Sequence, residues 1–337
     1  MSVRAPYLTA GRLVTTTGAL AAMLVASIVG ALLIGPVRVS PWRALAPGGA
    51  ATPDYVILFR ARLPRVLLGA VVGGSLGASG AALQALLRNP LACPHLLGIS
   101  GGAAVAGVIA LVAGADAVSP LVPLAAFLGA LAAIAIVLLG ARAGGRTTPH
   151  AVLLVGVVFN ALAAAALMLV NALVGQRLAQ GVLFWMMGSL STQSYGLIAA
   201  AAAYGFAGLG WLVWHAQDLN LLSAGDEGAL QLGVEVERVR RAVFVAASLL
   251  VGAAVSMSGM IGFVGLIVPH LLRLVIGPDH RLLLPASFLG GATFLVGADA
   301  LARTVLGPAE LPVGVVTAFL GAPFFAVVLR TTRRMAA

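Results

Sequence analysis

Side chains able to do covalent or acid–base chemistry are few and scattered in this chain. Gly98-Ile99-Ser100-Gly101-Gly102 formally matches the G-x-S-x-G nucleophile elbow, where a serine on a strand-to-helix turn attacks a carbonyl. His150 or His270 would then serve as base, making an intramembrane serine hydrolase. Such an elbow belongs after a strand. Here it opens an apolar helical run, and 42 glycines make a chance match easy. The five histidines form no His-Glu-x-x-His, and the small apolar character of Cys93 explains that residue without a metal. His280, between Asp279 and Arg281, reads as a partner in loop hydrogen bonding. All 20 basic residues are arginine. Without lysine there is no Walker A loop to hold nucleotide phosphates and no Schiff base. If ATP drives this protein, another chain binds it, together with its magnesium.

The elements that must position these residues follow from composition. Of 337 residues, 61% are hydrophobic and 9% charged. A soluble domain carries about 25% charged residues. One water-soluble core of this length cannot bury so much apolar side chain, so the chain is read as an all-α integral membrane protein. The net charge of +10 reflects orientation in the membrane, since no nucleic-acid module or aromatic interleaving accompanies it.

Gaps between charges locate the spans, because a crossing helix needs about 20 apolar residues. Helices are expected near 13–34, 66–87, 96–114, 118–141, 151–174, 195–214, 242–260, 262–277, 282–302 and 311–329. The eighth is short and carries Pro269, His270 and Arg273; fusing it with the seventh would give nine spans. The first apolar run, Leu13 to Ile34, is too long for a signal peptide and lacks an Ala-x-Ala-like site. Placing both termini inside puts most arginines in inner loops, as the positive-inside bias requires, and favours ten spans. Against that bias, Arg38, Arg43, Arg60, Arg62 and Arg65 crowd the first outer loop. The apolar piece Val182 to Leu190 is too short to span and reads as a partial outer helix, a gate or a packing segment. The whole of 1–337 forms one transmembrane domain, with halves near 13–174 and 195–330 and an inner loop at 218–238.

An internal repeat is visible. Val72 to Gly80 aligns without gaps on Val251 to Gly259, and Pro94-His95-Leu96-Leu97 echoes Pro269-His270-Leu271-Leu272. The two halves would be inverted, a recurrent transporter architecture. Gly69, Gly73, Gly77 and Gly80 share one helical face that another helix can approach closely. Gln84 continues that face. Interhelical hydrogen bonding and lining a wet pathway both suit it.

Arg62-Leu63-Pro64-Arg65, Ser79-Gly80, Gln84 and Arg88-Asn89-Pro90-Leu91-Ala92-Cys93-Pro94-His95-Leu96-Leu97-Gly98 resemble the first half of the FecCD-type permease family. The second half is similar through Leu232-Gly233, Ser258 to His270, Asp299 with Arg303, Leu311 to Val315, and Gly321 to Phe325. These motifs run in family order from about residue 55 to 330. The resemblance implies a ten-helix permease of an ABC importer for iron chelates, haem or cobalamin in the inner membrane. It further implies a homodimer, two cytoplasmic ATPase subunits and a periplasmic binding protein, with substrate passing along the dimer interface. Ser79, Gly80, Gln84, Asn89 and Pro90 would line that pathway or pack helices. The competing class is an ion-coupled secondary transporter, but the span interiors offer little to bind a coupling proton.

Two sets of contacts follow from the resemblance. Arginines at the positions of Arg62, Arg65 and Arg303 pair with acids of the binding protein, steering its encounter. Reversing all three to glutamate is then expected to stop import and leave the complex assembled. Contact with lipid headgroups, or neutralisation of Arg303 by Asp299 one turn away, are alternatives. On the inner side, Asp226, Glu227, Leu232 and Gly233 fall in the segment that docks on the ATPase. Ser223 is expected to cap a short helix there, with Asp226 and Glu227 in its first turn and Gly233 at its end.

Overall fold

The protein is described by a computed structural model covering residues 8–48, 50, 52–115, 119–143, 146–190, 194–307 and 309–336. Arg4, which both termini inside would place in the cytoplasm, and Asp116, between the third and fourth expected spans, lie outside the described residues. The chain is built from helices α1 (Ala10–Leu33), α2 (Pro41–Leu45), α3 (Pro53–Tyr55), α4 (Leu63–Leu86), α5 (Ile99–Val112), α6 (Leu121–Gly140), α7 (Pro149–Leu173) and α8 (Gln176–Met186). It continues through α9 (Tyr195–Trp214), α10 (Ala216–Ala224), α11 (Asp226–Gln231), α12 (Val236–Ser258), α13 (Val264–Ile276), α14 (His280–Thr304) and α15 (Val313–Ala336). Two two-residue strands, at 142–143 and 146–147, pair in antiparallel fashion.

Among the described residues, seven helices are long and apolar enough to cross a membrane. Three apolar helices are shorter: Ile99–Val112, Val264–Ile276 and Val313–Ala326. Local chemistry sets the starts. Thr9, Thr148 and Ser194 accept backbone N–H bonds as N-caps of α1, α7 and α9. Asp279 does the same for α14.

Helix α4 is the centre of the fold. Its core window is 83% buried, against 6% for α1 and 17% for α9, which present apolar surface outward. The small residues allow this. A Cβ at Gly73 or Gly77 would collide with the backbone oxygen of Gly291 or Ser287 on α14, and one at Gly80 with the carbonyl of Gly265 on α13. Close packing is therefore what this glycine face does. Gly80→Ala should lower the melting temperature markedly, because the obstacle is backbone, and overpacking costs about 1–3 kcal/mol or more. Gly18→Ala, where a Cβ meets open space, is the control and should be neutral or mildly stabilising. Equal melting temperatures for the two variants would refute this account of α4.

Several expected boundaries move. The third span was expected to fill 96–114, but residues 94–97 form a 3-10 turn and α5 starts only at Ile99, after Gly98 at φ 81°. Its 14 residues reach about 21 Å, short of a full hydrocarbon core. Segments seven and eight stay separate. Gly259 at φ 68° and Phe263 at φ 67° break the chain between α12 and α13, so the two are separate helices. Helix α12 starts at Val236, before the expected 242, because Val236, Val239 and Arg240 already lie on its buried face. The partial helix is Gln176–Met186 rather than 182–190, and Val182 and Trp185 pack against Ala104, Val108 and Leu167. That makes it a packing segment.

The repeat survives in a different register. A long helix, a break, a short helix and two long helices occur as α4 to α7 and again as α12 to α15. Their ends place Leu86 opposite Ser258, whereas the sequence match set Gly80 opposite Gly259. Gly80 lies inside a helix and Gly259 ends one, so those two glycines do different work.

Candidate functional site

At the end of the molecule where α4 begins, a seven-residue π-helical turn, Val56–Arg62, runs directly into that helix. Such wide turns recur at functional positions. Arg62 turns toward the end of α1, donating to the Leu32 carbonyl at 2.8 Å and to that of Val37, and is 5% exposed. Arg65 reaches the other way, its Nε 2.9 Å from Asp299 Oδ1 and its Nη1 2.6 Å from Glu310 Oε2. Arg303 Nε lies 3.0 Å from Asp299 Oδ2, and its Nη2 donates to the Ala31 carbonyl at 3.1 Å. Asp299 is 1% exposed and serves both arginines.

The three arginines expected to meet a binding protein are therefore not alike in exposure. Arg62 and Arg303 are buried and committed to partners within the chain; Arg65 and Glu310 keep partial access to the outside. The physical reason is the supply of acceptors at helix ends. The last carbonyls of α1 have no intrahelical partner and attract any nearby guanidinium.

In the middle of the molecule, Gln84 is buried, and its Nε2 donates to the Leu266 carbonyl at 3.2 Å. Ser79 Oγ donates to the Leu76 carbonyl of its own helix. Ser79, Gly80 and Gln84 thus join helices, and Gln84 also lines a cavity of about 700 Å³ beside the end of α4. Sequence reasoning gave no role to His95 and Asn160. His95 Nε2 lies 2.8 Å from the Ile261 carbonyl and so ties the 94–98 turn to the break between α12 and α13, while Asn160 donates to the His95 carbonyl and ties the same turn to α7. Pro94-His95 was the available signal. Ser100 Oγ is buried without a hydrogen-bond partner among the described residues, in the first turn of α5 with no base beside it there, so the hydrolase reading has no support.

An apolar groove of about 880 Å³ opens beside this turn, lined by Cys93, Met186, Met260, Phe263, Leu266 and Phe319 among others. Methionine-rich walls adapt to irregular ligands.

At the opposite end, where α4 finishes, Arg88 holds a strained φ of 46°. Its Nε donates to the Leu222 carbonyl at 2.8 Å and its Nη2 pairs with Asp226. Asp226 also pairs with Arg240 at 2.9 Å, and Arg240 with Glu237 at 2.9 Å. The end of α4, helix α11 and helix α12 are joined by these charges. Glu227, Leu230, Leu232 and Gly233 remain exposed, with Leu232 at 68%. Gly233 at φ 84° ends the segment as expected. Ser223 is not its cap. It lies in α10 and donates to the Leu219 carbonyl, while Gly225 occupies the cap position.

Asn89 Oδ1 accepts from the Leu91 N–H, and Asn89 and Pro90 line a cavity of about 700 Å³. Asn220 Nδ2 donates to Asp279, and Asn220 Oδ1 lies 2.7 Å from His280 Nδ1, the loop role expected of that histidine. The hydrogen bond from Arg281 holds the Asp279 carboxyl down at about 2, so it stays ionised at any physiological pH.

Comparison with known proteins agrees with this architecture. Residues 23–331 match the model of the FecCD transport family. The chain is 44% identical to the cobalamin import system permease protein BtuC of Halobacterium salinarum, covering 86% of this chain and 79% of that one. It is 41% identical to the hemin transport system permease protein HmuU of Yersinia pestis, covering 91% and 93%. A solved inward-facing metal-chelate type ABC transporter superposes with a TM-score of 0.82 at 30% identity, over 94% of this chain and 99% of the other. A helical membrane chain with this buried glycine helix, these motifs and these relatives belongs to the FecCD transport family.

Proposed function

We propose that this chain is the membrane permease of an ATP-driven importer and carries a metal chelate such as cobalamin, haem or an iron siderophore into the cytoplasm. The observation that carries the reading is the inner segment α10–α11. It leaves Leu230 and Leu232 exposed, and its Asp226 is clamped to the end of the central helix. An exposed apolar pair on a short, anchored helix suits docking to another protein. The chain has no lysine with which to hold ATP phosphates, so the partner there is the ATPase.

In this reading α1, α4, α5, α6, α7, α9, α12, α13, α14 and α15 make ten passes through the inner membrane, with both termini in the cytoplasm and the halves inverted. Two copies assemble with two ATPase subunits. The methionine-lined groove beside α15 faces the second copy and forms part of the route. It is wide and weakly polar, as a bulky chelate requires. At the outer face the binding protein docks on Arg65, with Arg62 and Arg303 fixing its position from within.

The test is reconstitution of the permease in proteoliposomes. Cobalamin, haem or ferric siderophore uptake is expected only with ATP, the ATPase subunit and the binding protein together. Uptake driven by an ion gradient without the ATPase would establish the secondary-transporter reading instead.

The charge clamp makes a separate prediction. Asp226→Asn leaves Leu230 and Leu232 in place but removes the acid shared by Arg88 and Arg240. The ATPase should still co-purify, while ATP-driven uptake falls about tenfold or more, as loss of a charge-assisted contact of about 1.5–3 kcal/mol implies. Wild-type uptake by this variant would show that the clamp transmits nothing.

A further inference from the structure

The cavity of about 700 Å³ at the inner end is lined by four arginines, Arg12, Arg88, Arg273 and Arg281, against a single acid, Asp279. Three of the arginines have partners within the chain. Arg12 donates to the Ile276 carbonyl at 2.8 Å, Arg88 pairs with Asp226, and Arg281 pairs with Asp279 at 2.6 Å. Arg273, half-buried in α13, has no hydrogen-bond or ion-pair partner among the described residues. His280, 3% exposed on the same wall, holds a buried Nε2 that is also without a partner. A guanidinium within a membrane helix is costly unless something neutralises it, and arginine favours phosphate because its planar fork can donate two bonds at once.

The outside of the same helix says where that phosphate comes from. Leu271, Leu274 and Val275 flank Arg273 on α13 and are 42%, 71% and 78% exposed. An apolar strip beside a basic recess at a helix end suits acyl chains beneath a headgroup. We propose that the recess binds the phosphate of an anionic inner-leaflet phospholipid, with Arg273 as the principal contact, Arg281 and Arg12 beside it, and the acyl chains along α13. Asn220, Ser223 and Ala224 of α10 line the same recess, so a bound lipid also braces the segment that docks on the ATPase.

The test uses the purified full-length permease in detergent, with melting followed by tryptophan fluorescence. Phosphatidylglycerol, phosphatidylcholine and inorganic phosphate are added separately. A bound ligand raises the melting temperature in proportion to the logarithm of its excess over Kd. Phosphatidylglycerol should raise it by several degrees and phosphatidylcholine by less than half as much. Arg273→Gln should lose most of the phosphatidylglycerol shift, whereas Arg177→Gln, at an exposed position elsewhere, should keep it. If Arg273→Gln does not fold, Arg281→Gln replaces it and should lose part of the shift. An unchanged shift in the variant measured, or equal shifts from the two lipids, overturns the proposal. A full shift from inorganic phosphate alone would assign the recess to a soluble anion and overturn its lipid identity.

Discussion

Arg303→Glu should leave almost no folded permease to purify. The new carboxylate would sit beside Asp299, whose oxygen is now 3.0 Å from the Arg303 Nε, with both residues almost fully buried. Arg65 would then face two carboxylates in the buried cluster as well as Glu310. The Ala31 carbonyl at the end of α1 would lose its donor at the same time. Removing one partner of a buried pair costs about 3–5 kcal/mol, and placing a like charge there costs more. Against a total stability of about 5–15 kcal/mol, that is enough to unfold the protein or stop its insertion. The measurement is the monodisperse fraction after detergent extraction, read by size-exclusion chromatography. Asp299→Arg in the same chain as Arg303→Glu should recover part of the loss by restoring opposite charges. A stable, monodisperse Arg303→Glu single variant would show that the cluster is open to solvent. Judged by spacing alone, reversing Arg62, Arg65 and Arg303 together spares assembly and removes only docking. Burial limits that outcome to Arg65, whose guanidinium keeps access to the outside.

Leu232→Asp should abolish ATP-driven uptake while leaving the permease itself intact. Leu232 is 68% exposed just before the turn at Gly233, so a charge there meets water in the isolated chain and costs the fold little. In the proposed complex the same position would become a contact with the ATPase. Losing a buried leucine forfeits about 1.5–3 kcal/mol, and desolvating an unpaired aspartate adds several more. Together these exceed a hundredfold in affinity. The ATPase should therefore fail to co-purify, and Leu230→Asp should behave alike. Gly233→Pro attacks the same site through the backbone, because proline cannot adopt the positive φ found there. Normal ATPase co-purification with the Leu232→Asp variant, and full uptake, would move the docking surface elsewhere on the chain. Cross-links from engineered cysteines in that other loop would then identify it.

Much of this was readable from the residues themselves. Composition decides the solvent: with so few charges the helices must face lipid, and the uncharged gaps mark where each one lies. The absence of lysine excludes a Walker A phosphate loop without any coordinates. Gly233 ends the docking segment because a left-handed turn favours glycine, and the glycine face of α4 announces a close approach because only small side chains permit one. Those are local or compositional constraints. The partner of each polar group is not. Arg62 and Arg65 are three residues apart, yet one turns to the end of α1 and the other to Asp299 and Glu310. Gln84 meets carbonyls of α13, Arg88 meets Asp226, and Ser223 bonds back into α10 instead of capping α11. The repeat, too, follows helix ends that a gapless alignment of small residues misplaces. A buried polar side chain takes whichever unpaired carbonyl or carboxylate packing brings within about 3 Å, and in this chain those groups arrive from helices far away in sequence. Only the tertiary structure could decide them.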